Sequence, residues 1–354
     1  MRAARYHGPH DVRIEEVKPA SMEPTDIRIE ITAAGICGSD LHEYAGGPIT
    51  IPTDPHPVTG ATMPVTMGHE FAGRVLESGP DVDIAAGTDV VVNPIIWCGT
   101  CRTCAEGTYR LCPNGGFIGL SGGGGGFAEE VVVPGESVIP LPDNVPDAHG
   151  AMVEPFAVGL HAIREAGVGP RDSVAIFGAG PIGLTVVQAA KAAGAGPIVV
   201  SEPRDARRAL AKQCGADVVI DPGNTAPTEH ILAHSDGGVD VSFEVAGVEA
   251  TVNQSIAVTR PRGTITIVSL FEEPLNVDLL PIVLGEQRVI GTAAYQAGPL
   301  ADTEFGATLE YFADGTFNPE PLLSERIALE DIVEDGFERL LDAESDAIKI
   351  LVTP

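Results

Sequence analysis

Residues 27–31 read Ile-Arg-Ile-Glu-Ile, a period-two alternation that predicts a half-buried strand. Short β-branched runs at 90–92 and 131–133 continue this rhythm between glycines and prolines, and long helical patterns are absent from roughly the first 150 residues. The pattern changes near residue 156. An apolar run at 173–177 reads as a fully buried strand, and 181–193 as a helix with Pro181 in its first turn. Strands at 197–201, 217–220, 239–245 and 263–269 follow, with a helix at 204–213 between the first two. Strands alternating with helices imply βαβ units and a parallel sheet. Beyond residue 297 the pattern loosens, until 347–352 reads as a closing strand. There is no internal repeat, and the glycine run 122–126 is the only low-complexity stretch.

A chain of 354 residues is long enough for two domains, each with its own core. The expected fold class is α/β: a β-rich domain formed by 1–157 with 298–354, and a doubly wound parallel-sheet domain at 158–297. No uninterrupted apolar run reaches the ~18 residues that a membrane helix requires. The opening Met-Arg-Ala-Ala-Arg-Tyr carries charge where a signal peptide needs an apolar core, so a cytoplasmic protein is expected.

The charge is strongly one-sided, with 50 acidic residues against 21 basic and a net charge of −29. Lysine occurs only at 18, 191, 212 and 349. Such a field repels nucleic acid and anionic membranes, so neither is an expected partner. The acidic residues are spread along the chain rather than gathered in a tail. That distribution fits a protein adapted to concentrated salt, where ions screen the mutual repulsion.

Four of the six cysteines, Cys98, Cys101, Cys104 and Cys112, fall within fifteen residues. Thiolates this close can converge on one tetrahedral ion, with Zn–S distances of about 2.3 Å. In a reducing compartment such a cluster reads as a metal site rather than as two disulfides. Zinc is the expected ion, with an iron–sulfur cluster as the competitor.

Gly178-Ala-Gly180-Pro181-Ile182-Gly183 joins the expected strand at 173–177 to its helix. A lone GxGxxG is weak evidence, but this one follows a strand, opens a helix and has Glu202 at the end of the next strand. Its glycines allow backbone N–H groups to approach a pyrophosphate at the helix N-terminus. A carboxylate at Glu202 would accept hydrogen bonds from a ribose 2′-hydroxyl and repel a 2′-phosphate, which favours NAD over NADP. Arg204 and Arg207 weigh the other way, since an arginine can receive that phosphate. The 122–126 run is not a second phosphate loop, because a strand pattern follows it; a mobile loop over a pocket is its default reading.

Several further residues carry little when read singly. Cys37 lies in Gly-Ile-Cys37-Gly-Ser39-Asp40-Leu-His42, and His69 and Glu70 lie in Gly-His69-Glu70-Phe-Ala-Gly. A single cysteine is more often a small core residue, and the His-Glu pair lacks the second histidine of a zinc-protease helix. Glu154 is more suggestive, because apolar residues surround it and a buried charge needs a partner. His161 and Cys214 read as structural residues, and His56 as a surface residue.

Taken together, these segments resemble the zinc-dependent medium-chain alcohol dehydrogenase family. The stretch Gly68-His69-Glu70 with Gly73, Gly79 and Val82 looks like that family's zinc signature, and the cysteine lobe and dinucleotide motif follow in its order. The resemblance covers essentially the whole chain. It implies a GroES-like catalytic domain, a Rossmann domain, two Zn2+ ions per chain and NAD as the hydride acceptor. Cys37 and His69 match two catalytic zinc ligands, with Glu70 or Glu154 as the third. The glutamate at 154 replaces a cysteine of liver-type members and is similar to the polyol and butanediol dehydrogenase branch. Asp40 matches a carboxylate that orients His69. Ser39 and His42 match the relay that carries the released proton to water, and Cys98, Cys101, Cys104 and Cys112 match a structural zinc site.

Within the family, 116–121 with the following glycines, and the insertion 47–60, look like the (R,R)-2,3-butanediol dehydrogenases. The resemblance therefore implies a small secondary alcohol as substrate, with sorbitol, xylitol, glucose or threonine as alternatives on the same scaffold. Family members form dimers or tetramers, and the stretch 289–291 is a candidate edge strand for such pairing.

Overall fold

The computed structural model describes every residue except Glu272. The chain divides into two compact units. The first comprises Met1–Glu154, Tyr295–Gly315 and Leu323–Pro354, and the second Pro155–Ala294 and Thr316–Leu322.

The first unit is organised around the strand Asp26–Gly35. Ile27, Ile29 and Ile31 face inward and are buried, while Glu30 between them is exposed. Full burial of each such isoleucine contributes about 1.5–3 kcal/mol. The strand pairs antiparallel with Glu70–Ser78, Glu130–Pro134 and the closing strand Lys349–Thr353. Leu323–Ala328 extends the sheet in parallel beyond the closing strand, and Asp89–Val92 and Val138–Pro140 extend it on the other side. Arg2–Gly8 forms a smaller sheet with Asp11–Glu16 and Val65–Thr66.

The second unit carries six parallel strands, the first being Val174–Phe177, buried along its whole length. Burial on both faces is why its sequence reads as a continuous apolar run. In space the strands run third, second, first, fourth, fifth and sixth, the doubly wound order. Ile198–Ser201, Val218–Ile220, Val239–Glu244 and Thr259–Ile267 lie close to the positions expected of them. The sixth strand, Arg288–Gly291, is one edge of the sheet, and Val218–Ile220 the other.

Some elements have no counterpart in the sequence reading. The helix Phe305–Asp314 and the strand Leu323–Ala328 lie where the pattern loosened. Thr316–Leu322, expected in the first domain, packs with the second unit: Phe317 meets the Phe156 ring at 5.2 Å, and Gln188 exchanges two hydrogen bonds with the Asn318 backbone. The glycine run is packed rather than free-standing at its end. Gly126 donates to the Gly68 carbonyl at 2.8 Å, directly before His69.

Candidate active site

Cys37 caps the helix Gly38–Gly46, and its N–H donates to Asp40 Oδ2 at 2.9 Å. This cap fixes the thiol at the end of the strand Asp26–Gly35. Glu70 begins the neighbouring strand, with His69 directly before it, and the register sets Glu70 opposite Gly35. The two turns therefore meet, and one ligand atom from each of Cys37, His69 and Glu70 lies within 4.8 Å of the others. Ser39 Oγ stands 3.6 Å from the Cys37 sulfur. His42 is exposed one helical turn further on, at i+3 from Ser39.

The surroundings are almost sealed. Asp40, His69, Glu70 and Glu154 are all buried. His69 Nδ1 lies 3.5 Å from Asp40 Oδ1, and neither atom has a hydrogen-bond partner within normal reach. With Nδ1 turned to Asp40, Nε2 is the nitrogen left for Cys37 and Glu70. Burial pulls the His69 imidazole down, but the charges of Asp40 and Cys37 outweigh it and hold the group well above its ordinary range. Burial, and then the negative charge of Glu70, push Glu154 up to about 7. Tyr295 is fully buried beside Glu154, and its phenol is raised first by burial and then by that neighbour.

Two partners in this cluster are invisible to motif reading. One is Tyr295. The other is Lys349, buried in the closing strand, whose Nζ donates to both Glu70 oxygens at 2.8 and 2.6 Å and to the Ile36 carbonyl at 2.9 Å. Burial lowers the Lys349 ammonium, yet Glu70 overrides this and raises it. A lysine inside the apolar run 347–352 was the available signal.

Thiolate, imidazole and carboxylate converging on one point form a donor set suited to zinc, and the Asp40–His69 contact is the outer support such ligands need. The second cluster fits as well. The sulfurs of Cys98, Cys101, Cys104 and Cys112 lie within 4.8 Å of one another, and none is in a disulfide. Cys101 Sγ is 3.4 Å from Cys104 Sγ and 3.7 Å from Cys112 Sγ. The Thr100 backbone and hydroxyl draw Cys98 down to about 5, whereas burial pushes Cys104 up to about 12. Four sulfurs leave no position open to a substrate.

In the second unit, Gly180 caps the helix Pro181–Ala192, whose first turn carries Ile182 and Gly183. A Cβ at Gly183 would lie 2.2 Å from the Gly178 carbonyl oxygen, so only glycine permits this approach. Glu202 is buried, and its oxygens accept the N–H groups of Ala179 (2.8 Å) and Arg204 (3.0 Å). An Arg207 guanidinium nitrogen lies 3.9 Å from where a Gly180 Cβ would sit. The loop thus presents backbone N–H groups at a helix N-terminus, with a carboxylate and an arginine beside it, the arrangement that receives a dinucleotide.

His56 is not a free surface residue: its Nδ1 accepts the N–H groups of Val58 and Thr59, and its Nε2 lies 3.2 Å from the Gly115 carbonyl. It pins the insertion. Glu43, buried, clamps the other end through the Ile49 and Ile51 N–H groups and the Thr50 hydroxyl.

Two domain families match this chain: an alcohol dehydrogenase GroES-like domain over residues 23–143 and a zinc-binding dehydrogenase over 181–313. The (R,R)-butanediol dehydrogenase of Bacillus subtilis (strain 168) is 43% identical over 357 aligned residues, covering all of both chains. This chain belongs to the zinc-binding medium-chain alcohol dehydrogenase family. It is therefore an oxidoreductase acting on CH–OH groups, with zinc and NAD(P) as its cofactors. The sorbitol dehydrogenase of the same organism is 34% identical over all of this chain and 97% of that one. Among solved structures, 2R,3R-butanediol dehydrogenase from Bacillus subtilis superposes with a TM-score of 0.93 at 42% identity, covering 100% of this chain and 99% of that one. A zinc-binding dehydrogenase of Sinorhizobium meliloti 1021, bound to NADP, gives 0.89 at 33% identity, with coverage of 100% and 99%. Among the described residues, no helix is long and apolar enough to cross a membrane.

Proposed function

We propose that this dehydrogenase oxidises 2,3-butanediol to acetoin, with NAD accepting the hydride. The observation that carries the reading is the convergence of Cys37, His69 and Glu70, with Glu154 buried nearby, in a chain 43% identical end to end to an (R,R)-butanediol dehydrogenase. Cys37, His69 and one glutamate hold the catalytic zinc. Glu70, whose carboxylate lies with them and keeps a free lone pair on each oxygen beside Lys349, or Glu154 is that glutamate. Zinc supplies Lewis acidity there, lowering the pKa of a bound hydroxyl. Asp40 keeps the His69 ring in its orientation. Ser39 takes the released proton and His42, exposed on the same helix face, hands it to water. Cys98, Cys101, Cys104 and Cys112 hold a structural zinc.

In the second unit, Gly178, Gly180, Pro181, Ile182 and Gly183 receive the pyrophosphate of the dinucleotide. Glu202 receives the ribose hydroxyls and favours NAD, while Arg207 faces the phosphates. Two copies of the chain join along the edge strand Arg288–Gly291. Exposed Leu279, Leu280, Val283, Leu284 and Val289 around that edge support this, since a second copy would cover them. The charge of −29 supports a salt-rich cytoplasm as the setting.

Side-by-side assay of butanediol, sorbitol, xylitol, glucose and threonine with NAD and NADP tests the reading. Butanediol with NAD is expected to show the highest kcat/KM. Far higher efficiency on a polyol, sugar or threonine overturns the substrate, and no turnover of any of them by the two-zinc protein points to a non-catalytic sensor.

A further inference from the structure

Glu244 ends the strand Val239–Glu244 and is wholly buried. It pairs in register with Phe177, the residue before Gly178, on the first parallel strand. The sheet order reverses at that first strand, and dinucleotides bind at such switch points. The Glu244 carboxylate accepts the N–H groups of Ala246 and Gly247, both at 2.9 Å, the Thr251 hydroxyl at 2.7 Å and the Ser269 hydroxyl. All four donors are uncharged. They come from the turn after its own strand, from the helix Glu249–Val258, and from just beyond the strand Thr259–Ile267. One anion thus joins three chain segments at the end of the sheet where the glycine loop lies.

The turn it holds is the wall of that loop. Gly178 adopts a φ of +108°, and a Cβ there would sit 3.1 Å from the Ala246 Cβ and 3.2 Å from the Ala246 nitrogen. A Cβ at Gly183 would be 3.1 Å from Val245 Cγ2. The loop packs so closely on residues 245 and 246 that displacement of the turn displaces the loop's N–H groups.

We propose that Glu244 is a positioning residue for the dinucleotide. It touches no part of the cofactor; it fixes the 245–247 turn, and thereby the glycine loop, in the form that accepts a pyrophosphate. The inference rests on reading Gly178 to Gly183 as the dinucleotide site.

Glu244→Gln keeps the shape but turns an NH2 towards these donors, so at least one of them loses its acceptor. The Kd for NADH, measured by fluorescence titration, is expected to rise about tenfold, ~1.4 kcal/mol. KM for NAD should rise with it, while KM for the alcohol and the zinc content stay unchanged. The pair Thr251→Val and Ser269→Ala removes two donors more gently and should weaken NADH binding in the same direction. Thr251→Ser, which keeps the hydroxyl, should not. A purely structural role would lower the melting temperature and leave the Kd of the folded protein alone. A folded Glu244→Gln variant with wild-type Kd overturns the proposal; if that variant fails to fold, wild-type Kd in the double variant does so. Wild-type protein that binds neither NADH nor NADPH overturns the site reading itself.

Discussion

Lys349 Nζ lies 2.8 and 2.6 Å from the two carboxylate oxygens of Glu70, and both side chains are almost wholly removed from water. Breaking such a pair strands a charge. Lys349→Met is expected to cost about 3–5 kcal/mol, read from urea unfolding, and pairing it with Glu70→Met should recover most of that loss. If the double variant is no more stable than the single one, the ion pair is not what Lys349 contributes.

The two metal clusters should fail differently. Cys101→Ser is expected to remove one zinc per chain and lower the melting temperature by roughly 5 °C or more, since bound metal is folding free energy. Cys37→Ser should also lose one zinc, yet keep its fold while turnover falls to background. Metal analysis beside circular dichroism separates the two, and equal destabilisation would contradict the division.

Asp240 gives the second unit an acid-sensitive joint. Burial opposes its ionisation, but hydrogen bonds from the Ser173 hydroxyl (2.7 Å) and N–H (2.8 Å) and from Arg260 (2.7 Å) prevail, so its carboxyl titrates below the ordinary value. A depressed folded pKa stabilises above the unfolded value, about 3.9, and that stability is lost as pH falls towards the folded value. The unfolding midpoint should therefore drop as pH falls below about 4, and Asp240→Asn should flatten that slope. An unchanged slope in the variant would assign the acid limb elsewhere.

A net charge of −29 makes self-repulsion a property of the whole molecule. Screening lengths grow from about 3 Å at 1 M salt to about 30 Å at 0.01 M. Dialysis into dilute buffer should lower the melting temperature and the activity, followed by calorimetry and NAD-linked assay. Full stability and activity at low ionic strength would remove salt adaptation as an explanation of the composition.

Features carried by local spacing were legible in the chain. Cys98, Cys101, Cys104 and Cys112 announce their convergence because a metal lobe is a local structure, and Gly178 to Gly183 does so because a strand–turn–helix is one too. Residues 27–31 and 173–177 gave strands because their burial is set by period and length. What stayed hidden depends on distant pairing. Tyr295 and Lys349 come from two remote stretches, and nothing local states that they join the buried cluster around His69, Glu70 and Glu154. Lys349 is buried because its strand is interior to the sheet, paired on both sides, a fact about neighbours rather than sequence. Glu244 was hidden for another reason: a carboxylate satisfied by uncharged donors leaves no partner charge to look for.

The contact between Lys349 and Glu70 spans 279 positions. During synthesis Cys37, His69 and Glu70 leave the ribosome together, long before the strand that completes their surroundings. The central strand Asp26–Gly35 can pair with Glu70–Ser78 and Glu130–Pro134 early, but its Ala34–Gly35 end waits on the other edge for Lys349–Thr353. Until then the Glu70 carboxylate must remain hydrated, so the ligand-bearing face stays open to water and to ions. Closure of the first unit is consequently a late event in folding, delayed by long-range pairing. A nascent chain stopped before residue 349 should hold its four-cysteine lobe in native form while the turns at Cys37 and His69 remain unsealed.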